Sequence, residues 1–207
     1  MKHTIQLIIA LALGLPGAAA MATEEPKFER IAQHDHIELR RYPAFIVAET
    51  FVAGDLDQAS VKGFRTIADY IFGNNVAVGP DLLDQPQASE KIAMTAPVTV
   101  APADQGASPM AGNRWRVHFV MPSQYQLSDL PSPNSNAVSL VRQSSMKLAV
   151  LRFGGFSSDE KIAKHAQLLT QVLEKNNIRT KGSLLFMGYN APWDVINRRN
   201  EVAFQID

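Results

Sequence analysis

Apolar and polar residues alternate along several short segments of the chain, a pattern that is typical of β-strands. In Ile37–Tyr42, for example, Ile37 and Leu39 share one face with Arg41. Further strands are predicted at 44–52, 91–100, 114–121, 137–141, 146–153, 184–189 and 201–206. Proline has no backbone N–H to donate, so Pro97 indicates an edge or a bulge in the third of these eight strands.

Two longer segments carry apolar residues at helical spacing instead. The first predicted helix spans 57–72 and follows Gly54 and Asp55. Its apolar stripe consists of Val61, Phe64, Ile67, Ala68 and Ile71. The second predicted helix spans 158–175, and the serines and the aspartate at 157–159 are typical helix-capping residues rather than a nucleophilic turn.

The predicted elements therefore follow the order strand–strand–helix–strand–strand twice. An offset of 103 residues places Ala44 on Lys147, and the two helices overlap at that offset. The halves share little sequence identity, so we interpret this as a repeat of pattern. Eight strands and two helices predict an α+β domain in which each helix covers one half of a curved antiparallel sheet or open barrel.

The first 22 residues differ from the rest of the chain. Lys2 precedes an apolar run at 5–20 that ends in small residues, and A-x-A cleavage sites lie at 18–20 and 20–22. These features predict a secretory signal peptide at 1–22 and a single domain at 23–207. The alternative is an uncleaved anchor, but a spanning helix needs about 20 apolar residues and this run is shorter and interrupted by Pro16. We therefore expect an exported protein, and the periplasm as its compartment.

Composition narrows the range of functions. The chain has 207 residues, 20 basic and 20 acidic side chains, and no cysteine. A neutral chain without a local basic cluster does not favour nucleic-acid binding. The absence of cysteine excludes disulfides, thiolate metal sites and covalently attached c-type haem. Because no catalytic signature such as G-x-S-x-G or H-E-x-x-H occurs either, we do not predict an enzyme.

Few polar residues stand out as candidates for a catalytic, metal-binding or ligand-binding site. His34, His36 and Glu38 would project from one side of a strand, where a solvated polar face is a simpler interpretation than a metal site. Arg41 shares the inward face with Ile37 and Leu39. An unpaired buried guanidinium is costly. Either the strand therefore twists Arg41 outward, or Arg41 pairs with an anionic ligand at the mouth of a pocket. The charges at 198–201 indicate a turn with a local ion pair.

Several of these segments resemble the SOUL haem-binding-protein family. The resemblance runs in family order from Phe28 to Ile206, and it is carried by Ile37–Tyr42 (IELRRY), 63–64 (GF), 69–74 (DYIFGN), 91–98 (KIAMTAPV), 115–122, 153–156 (FGGF), 189–193 (YNAPW) and 198–202 (RRNEV). It implies an eight-stranded distorted barrel of two similar halves with two longer helices. It also implies non-covalent binding of haem or a related tetrapyrrole at a hydrophobic patch beside the first helix.

The resemblance also suggests which residues form the site. Some family members carry a histidine iron ligand at the position of Arg41, and this departure argues against histidine-ligated haem. The predicted ligand-binding residues are Val61, Phe64 and Ala68 as apolar surface, with Arg41 and Arg65 as partners of the propionates. His36 and Met94 are remote candidates for an axial iron ligand.

Two classes of function remain open. The first is an exported soluble carrier or scavenger that binds a tetrapyrrole without a covalent bond. For this protein we expect no nucleic-acid partner and no stable membrane span once the signal peptide is cleaved. The alternative is a general hydrophobic small-molecule-binding or interaction domain for which haem is not the physiological ligand. The sequence predicts no oligomeric state.

Overall fold

The computed structural model describes residues 23–78, 88–103, 113–190 and 194–207. Within them the chain forms two helices, α1 (Leu56–Ile71) and α2 (Asp159–Lys175). It also forms eleven strands: β1 (Glu29–His34), β2 (Ile37–Tyr42), β3 (Phe45–Ala53), β4 (Asn75–Val76), β5 (Val98–Pro102), β6 (Arg114–Val120), β7 (Ser132–Pro133), β8 (Ser139–Gln143), β9 (Met146–Gly154), β10 (Thr180–Gly188) and β11 (Arg199–Ile206). The predicted signal segment 1–22 lies outside the described residues.

Nine of the described strands form one antiparallel sheet in the order β1-β2-β9-β11-β10-β5-β6-β3-β8, and β4 pairs with β7 separately. The predicted α+β class is therefore confirmed. The sheet ends at β1 and β8 and is not closed into a barrel, which corrects the barrel form of the prediction. It also has nine strands rather than eight, because Glu29–His34 pairs with β2 through a hairpin whose turn uses Asp35 at φ 53°.

The two predicted halves are visible in the topology. The first half is β2-β3-α1-β5-β6 and the second is β8-β9-α2-β10-β11. An offset of 103 residues places Leu56, the first residue of α1, on Asp159, the first residue of α2. The halves exchange their first strands, since β2 pairs with β9 and β8 pairs with β3. The pair β5–β10 joins the halves at the centre of the sheet.

Both helices begin at the capping residues that the sequence predicts and lie on the same face of the sheet. The side chain of Asp55 accepts a hydrogen bond from the Gln58 N–H at 2.7 Å, and the side chain of Ser158 accepts one from Lys161 at 3.3 Å. α1 packs on β3, β5 and β6, whereas α2 packs on β9, β10 and β11. The helices thus stand over opposite halves of the sheet, with the central pair β5–β10 between them.

Apolar side chains fill both faces of the sheet. The helix-facing side holds the larger core, which includes Ile67, Phe119 and Leu169. The opposite side carries a second cluster formed by Tyr42, Leu148, Val150, Met187 and Ala203, with Phe45, Met146, Leu185 and Tyr189 packed against it. Because strand residues alternate between faces, β9, β10 and β11 contribute apolar side chains to both layers.

The strand predicted at 91–100 is shorter than expected. β5 begins only at Val98, directly after Pro97. Proline cannot donate to a ladder, so regular pairing starts after it. The preceding residues instead pack across the end of α1, where the Ile92 N–H donates to the Ile71 carbonyl at 2.8 Å.

Candidate ligand-binding site

A groove of about 520 Å³ lies between α1 and the side of the sheet that α2 covers. Its first wall is one face of α1, consisting of Leu56, Asp57, Ser60, Val61, Phe64 and Arg65. These residues share a face because they recur at intervals of three and four. The Phe64 ring packs on the core residue Phe119 with ring centroids 5.5 Å apart, which anchors the apolar part of this wall. We call this cavity the helix groove.

The floor of the helix groove is the central strand pair. Val100 of β5 pairs with Phe186 of β10, and Val98 pairs with Gly188. All four residues line the groove, and Ile162 of α2 extends its apolar surface. Since Gly188 has no side chain, the floor is flat beside Phe186. This surface exists only where the two halves of the fold meet.

The far wall is polar and is formed by the chain that enters β11. Asn190, Arg198 and Asn200 line it. The Asn190 Oδ1 accepts a hydrogen bond from the Arg199 N–H at 2.6 Å, and the Asn200 Nδ2 donates to the Gly155 carbonyl at 2.8 Å. Arg198 is held in place as well, because its Nη1 donates to the Asp194 carbonyl and its guanidinium lies 4.9 Å from the Phe156 ring centroid. Arginine side chains therefore border the groove from two sides, with Arg65 on α1 opposite Arg198.

Among the described residues that line the helix groove, none is His, Met, Tyr or Cys. These four side chains are the usual protein ligands of haem iron. The lining therefore offers apolar contact and cations to a planar ligand but no axial bond to a metal. In addition, the parts of the chain that the structure describes contain no group of three or more His, Cys, Asp or Glu side chains that could hold a metal ion.

The structure brings together three of the five predicted binding residues. Val61, Phe64 and Arg65 line the helix groove. Ala68 does not, because it lies one turn further along α1, where it is buried at 7% exposure. The predicted stripe mixed two faces of the helix: Val61 and Phe64 border the groove, whereas Ile67 and Ala68 pack into the protein.

Arg41 also lies outside the helix groove, and of the two alternatives for it the structure favours the outward one. Its side chain is half exposed and forms an ion pair with Glu29 of β1 at 2.7 Å. The buried arginine is its neighbour Arg40, whose Nη1 and Nη2 donate to the two carboxylate oxygens of Glu201 at 2.8 and 3.1 Å. The predicted alternation correctly places Arg40 and Arg41 on opposite faces of β2. Both faces of this strand are covered, however, and Arg40 is buried on the face that carries the second apolar cluster.

Neither remote candidate for an iron ligand reaches the groove. His36 is exposed in the turn between β1 and β2, so His34, His36 and Glu38 do not follow one another along a single strand. Met94 is partly buried against the main core and does not line the groove. Neither side chain therefore lines the groove in which a ligand would bind.

The sequence prediction missed the groove residues of the second half. Phe186, Asn190 and Asn200 were assigned no role, and the charge cluster at 198–201 was interpreted as a turn with a local ion pair. Arg198 instead borders the groove, and Glu201 pairs with Arg40, which is 161 positions away in the chain. The repeat of the two halves is the signal that could have indicated this wall. If the halves pack together beside the first helix, residues of the second half are expected to line a site there.

Comparison with known proteins identifies the family. The family model described as "SOUL heme-binding protein" matches residues 23–205. The chain belongs to the SOUL haem-binding family. It is 31% identical to human "Heme-binding protein 2" over 191 residues, which cover 89% of this chain and 87% of that protein. It is 30% identical to pig "Heme-binding protein 1" over 153 residues, which cover 71% of each chain.

Solved structures with the same fold are more distant in sequence. The C-terminal domain of EcmrR superposes with a TM-score of 0.58 at 10% identity and covers 83% of this chain and 96% of its own. A Listeria innocua protein described as a hydrolase gives a TM-score of 0.54 at 12% identity and covers 86% of this chain and 94% of its own. At these identities the similarity establishes the fold alone.

Membership of the SOUL family supports haem or a related tetrapyrrole, held without a covalent bond, as a ligand of this chain. It is a family of binding proteins. Neither α1 nor α2, the helices of the described residues, has the length and apolar character that crossing a membrane requires.

Proposed function

We propose that this protein binds haem or a related tetrapyrrole reversibly in the helix groove and acts as an exported carrier or scavenger. The observation that carries the proposal is the arrangement of the groove, which has a flat apolar floor between two walls that each carry an arginine. A volume of about 520 Å³ is within the range of about 300–1,000 Å³ that is usual for small-molecule sites. Burial of roughly 200 Å² of the apolar macrocycle would contribute about 5 kcal/mol at about 25 cal/mol per Å².

The charges of the groove favour one orientation of the ligand. Arg65 and Arg198 can pair with the two propionates, because guanidinium groups bind carboxylates with good geometry. Asp57 lies two turns before Arg65 on the same face of α1, roughly 12 Å away along the helix axis. The propionates are therefore expected near Arg65 and Arg198, and the apolar edge of the macrocycle near Asp57.

Because the described lining contains no usual iron ligand, the groove should recognise the macrocycle and not the metal. We expect hemin and metal-free protoporphyrin IX to bind within about threefold of each other, since the loss of an axial bond cannot weaken a complex that lacks one. The measurement is a fluorescence or absorbance titration of residues 23–207 with each compound. Affinity for hemin that exceeds affinity for protoporphyrin by tenfold or more would contradict this mode of binding.

Matched variants locate the site. Arg65→Glu should weaken both ligands about tenfold, because it replaces an attraction with a repulsion at one propionate. Phe64→Asp should weaken them at least as much, because it places a charge on the apolar wall. Arg41→Glu is the control, because Arg41 is a half-exposed arginine outside the groove. An equal loss of affinity in the Arg41 and Arg65 variants would indicate non-specific attraction and remove the proposed site.

A second candidate is a general site for hydrophobic small molecules or a partner protein. It is favoured by apolar side chains that are exposed near the far wall, namely Phe156, Val195 and Ile196 at 60%, 65% and 75% exposure. The colour of the protein purified from haem-replete cells distinguishes the two candidates. A Soret band supports the first, whereas a colourless protein that binds unrelated apolar dyes equally well supports the second.

Export is part of the proposal and rests on the segment 1–22. Its basic residue, apolar run and A-x-A sites support removal during secretion. Cell fractionation followed by N-terminal sequencing tests it. The mature chain should begin at Met21 or Thr23, and an intact Met1 in the cytoplasmic fraction would contradict export.

A further inference from the structure

The sheet face opposite the helices encloses a second, smaller cavity of about 110 Å³, which we call the inner chamber. It is separated from the helix groove by the sheet itself. Val98 and Val100 of β5 line the groove, whereas Thr99 between them lines the chamber. In the same way, Phe186 of β10 lines the groove and Met187 lines the chamber. Consecutive residues thus serve two sites on opposite faces.

One of the side chains that line the inner chamber carries a buried polar atom without a partner. His118 of β6 lines it at 8% exposure, and none of the described residues forms a hydrogen bond with its buried Nδ1. Leaving such an atom unsatisfied is unusual in a folded protein.

The groups around His118 keep its ring neutral. Thr99 and Glu49 are its cross-strand neighbours on β5 and β3, and Arg116 lies two residues away on the same face. The guanidinium of Arg116 is held by the Glu49 carboxylate at 2.6 Å, so neither charge is left to pair with a ligand. Burial, reinforced by the positive charge of Arg116, lowers the pKa of His118 to about 3. At pH 7 the imidazole therefore has one nitrogen that can accept a hydrogen bond, and this nitrogen is Nδ1 in the tautomer that carries its proton on Nε2.

Apolar, aromatic and thioether side chains form most of the remaining lining, together with two glutamines. Tyr42 and Phe45 line one part of it and are in edge contact with centroids 6.4 Å apart. The thioethers of Met146 and Met187 also line the chamber, and methionine sulfur makes favourable contacts with aromatic rings. A tetrapyrrole is several times too large for this volume, so the chamber cannot be a second part of the haem site.

A wider vestibule adjoins the inner chamber. It has a volume of about 400 Å³ and shares Pro26, Phe45 and Val120 with the chamber. One side of it is the N-terminal segment at 24–27, which is held at Glu24. The Glu24 carbonyl accepts a hydrogen bond from the Ala96 N–H, and its Oε1 accepts one from the Ser123 N–H, both at 2.9 Å. Pro26 therefore borders both cavities.

We propose that the inner chamber is a binding site for a small phenol, whose hydroxyl donates a hydrogen bond to the Nδ1 of His118 while its ring packs between Phe45 and the two methionines. A phenol matches the three features of the chamber, which are its size, its aromatic and thioether lining, and an acceptor without a partner. A carboxylate or an ammonium group would find no unpaired opposite charge there. The site is independent of the helix groove and of the tetrapyrrole proposal.

The test compares 4-methylphenol with toluene, which has the same ring and methyl group but no hydroxyl. In the wild-type protein at pH 7, saturating 4-methylphenol should change the ¹⁵N resonance of the His118 Nδ1, and toluene should not. In calorimetric titration, 4-methylphenol should bind about three- to tenfold more tightly than toluene, as expected for one hydrogen bond.

Two variants complete the experiment. His118→Leu removes the acceptor, so toluene should then bind at least as tightly as 4-methylphenol, whose hydroxyl would be buried without a partner. Phe64→Asp should leave the affinity for 4-methylphenol unchanged, because Phe64 lies in the helix groove on the other face. The wild-type NMR measurement decides the matter even where His118→Leu does not fold.

The proposal is overturned by an unchanged Nδ1 resonance, which would mean that water alone meets the hydrogen-bonding need of His118. It is also overturned by equal affinities for the two compounds, or by resonance changes confined to Val61 and Phe64. A loss of tetrapyrrole binding has no bearing on it, so failure of the groove proposal and failure of the chamber proposal can be told apart.

Discussion

Two neighbouring arginines on β2 have opposite environments, and we expect them to contribute differently to the free energy of unfolding. Arg40 is 6% exposed and pairs with Glu201, which is 2% exposed and also accepts a hydrogen bond from the Tyr189 hydroxyl at 2.7 Å. Burial by itself would lower the pKa of Arg40, but the bonds to Glu201 raise it above its ordinary value. Burial and the Glu201 charge likewise raise the pKa of Tyr189. Arg41 and its partner Glu29 are both largely exposed.

We predict that Arg40→Met lowers the free energy of unfolding by about 3–5 kcal/mol, because it leaves the Glu201 carboxylate buried without its counter-charge. Arg41→Met is the matched control and should change it by at most about 1 kcal/mol, as exposed ion pairs do. Urea denaturation monitored by circular dichroism measures both. The double variant Arg40→Met, Glu201→Met should recover part of the loss. Equal effects of the two single variants would show that Arg40 is not held as the structure indicates.

At the scale of single elements, the position of α1 depends on Gly63. A Cβ atom built at this residue would lie 2.4 Å from the Cγ2 of Val117 on β6, which is far closer than any normal contact. The helix can approach the sheet here only because glycine has no side chain. Phe64 follows directly, so the same close approach sets the depth of the helix groove.

Replacement of glycine by alanine in an exposed helix usually stabilises it by about 1 kcal/mol. At position 63 we expect the opposite sign, with a loss of about 1–3 kcal/mol from overpacking against Val117. Thermal or urea unfolding checks the stability, and a protoporphyrin titration checks the expected loss of affinity as Phe64 moves outward. Lys62→Ala, at the neighbouring exposed position, should have little effect on either measurement. A Gly63→Ala variant that is more stable than the wild type would refute the close packing.

At the scale of the whole molecule, the two halves depend on each other. The first strand of each half pairs with the second strand of the other half, since β2 lies against β9 and β8 lies against β3. The groove floor also requires β5 from one half and β10 from the other. Neither half therefore contains a complete sheet or a complete site.

This exchange predicts fragment complementation. Fragments 23–136 and 137–207 divide the chain in the turn at Asn136 and Ala137, both of which are exposed. Each fragment alone should lack a cooperative unfolding transition, because it is missing a paired strand and half of the core. An equimolar mixture should regain the transition and bind protoporphyrin. Cooperative unfolding of either fragment by itself would contradict the mutual dependence of the halves. The uncut protein is the reference for both measurements.

Local sequence determined much of this protein's architecture. Periodicity identified both helices and most strands, because each element buries a face whose residues recur at a fixed interval. The caps at Asp55 and Ser158 were readable because capping depends on a few adjacent residues. The repeat at 103 residues and the family motifs then indicated two similar halves and a tetrapyrrole ligand. Val61, Phe64 and Arg65, which line the helix groove, were predicted from the first helix together with the family resemblance.

Only the tertiary structure decided those features that depend on residues far apart in the chain. Alternation along β2 separates Arg40 from Arg41, but it cannot show which arginine is buried, because the answer depends on Glu201 and on the second apolar cluster. The far wall with Arg198, the open nine-stranded sheet and the chamber around His118 all arise from strands that pair across the two halves. Periodicity reports the two faces of an element, whereas burial and the formation of a cavity depend on what other elements place over each face.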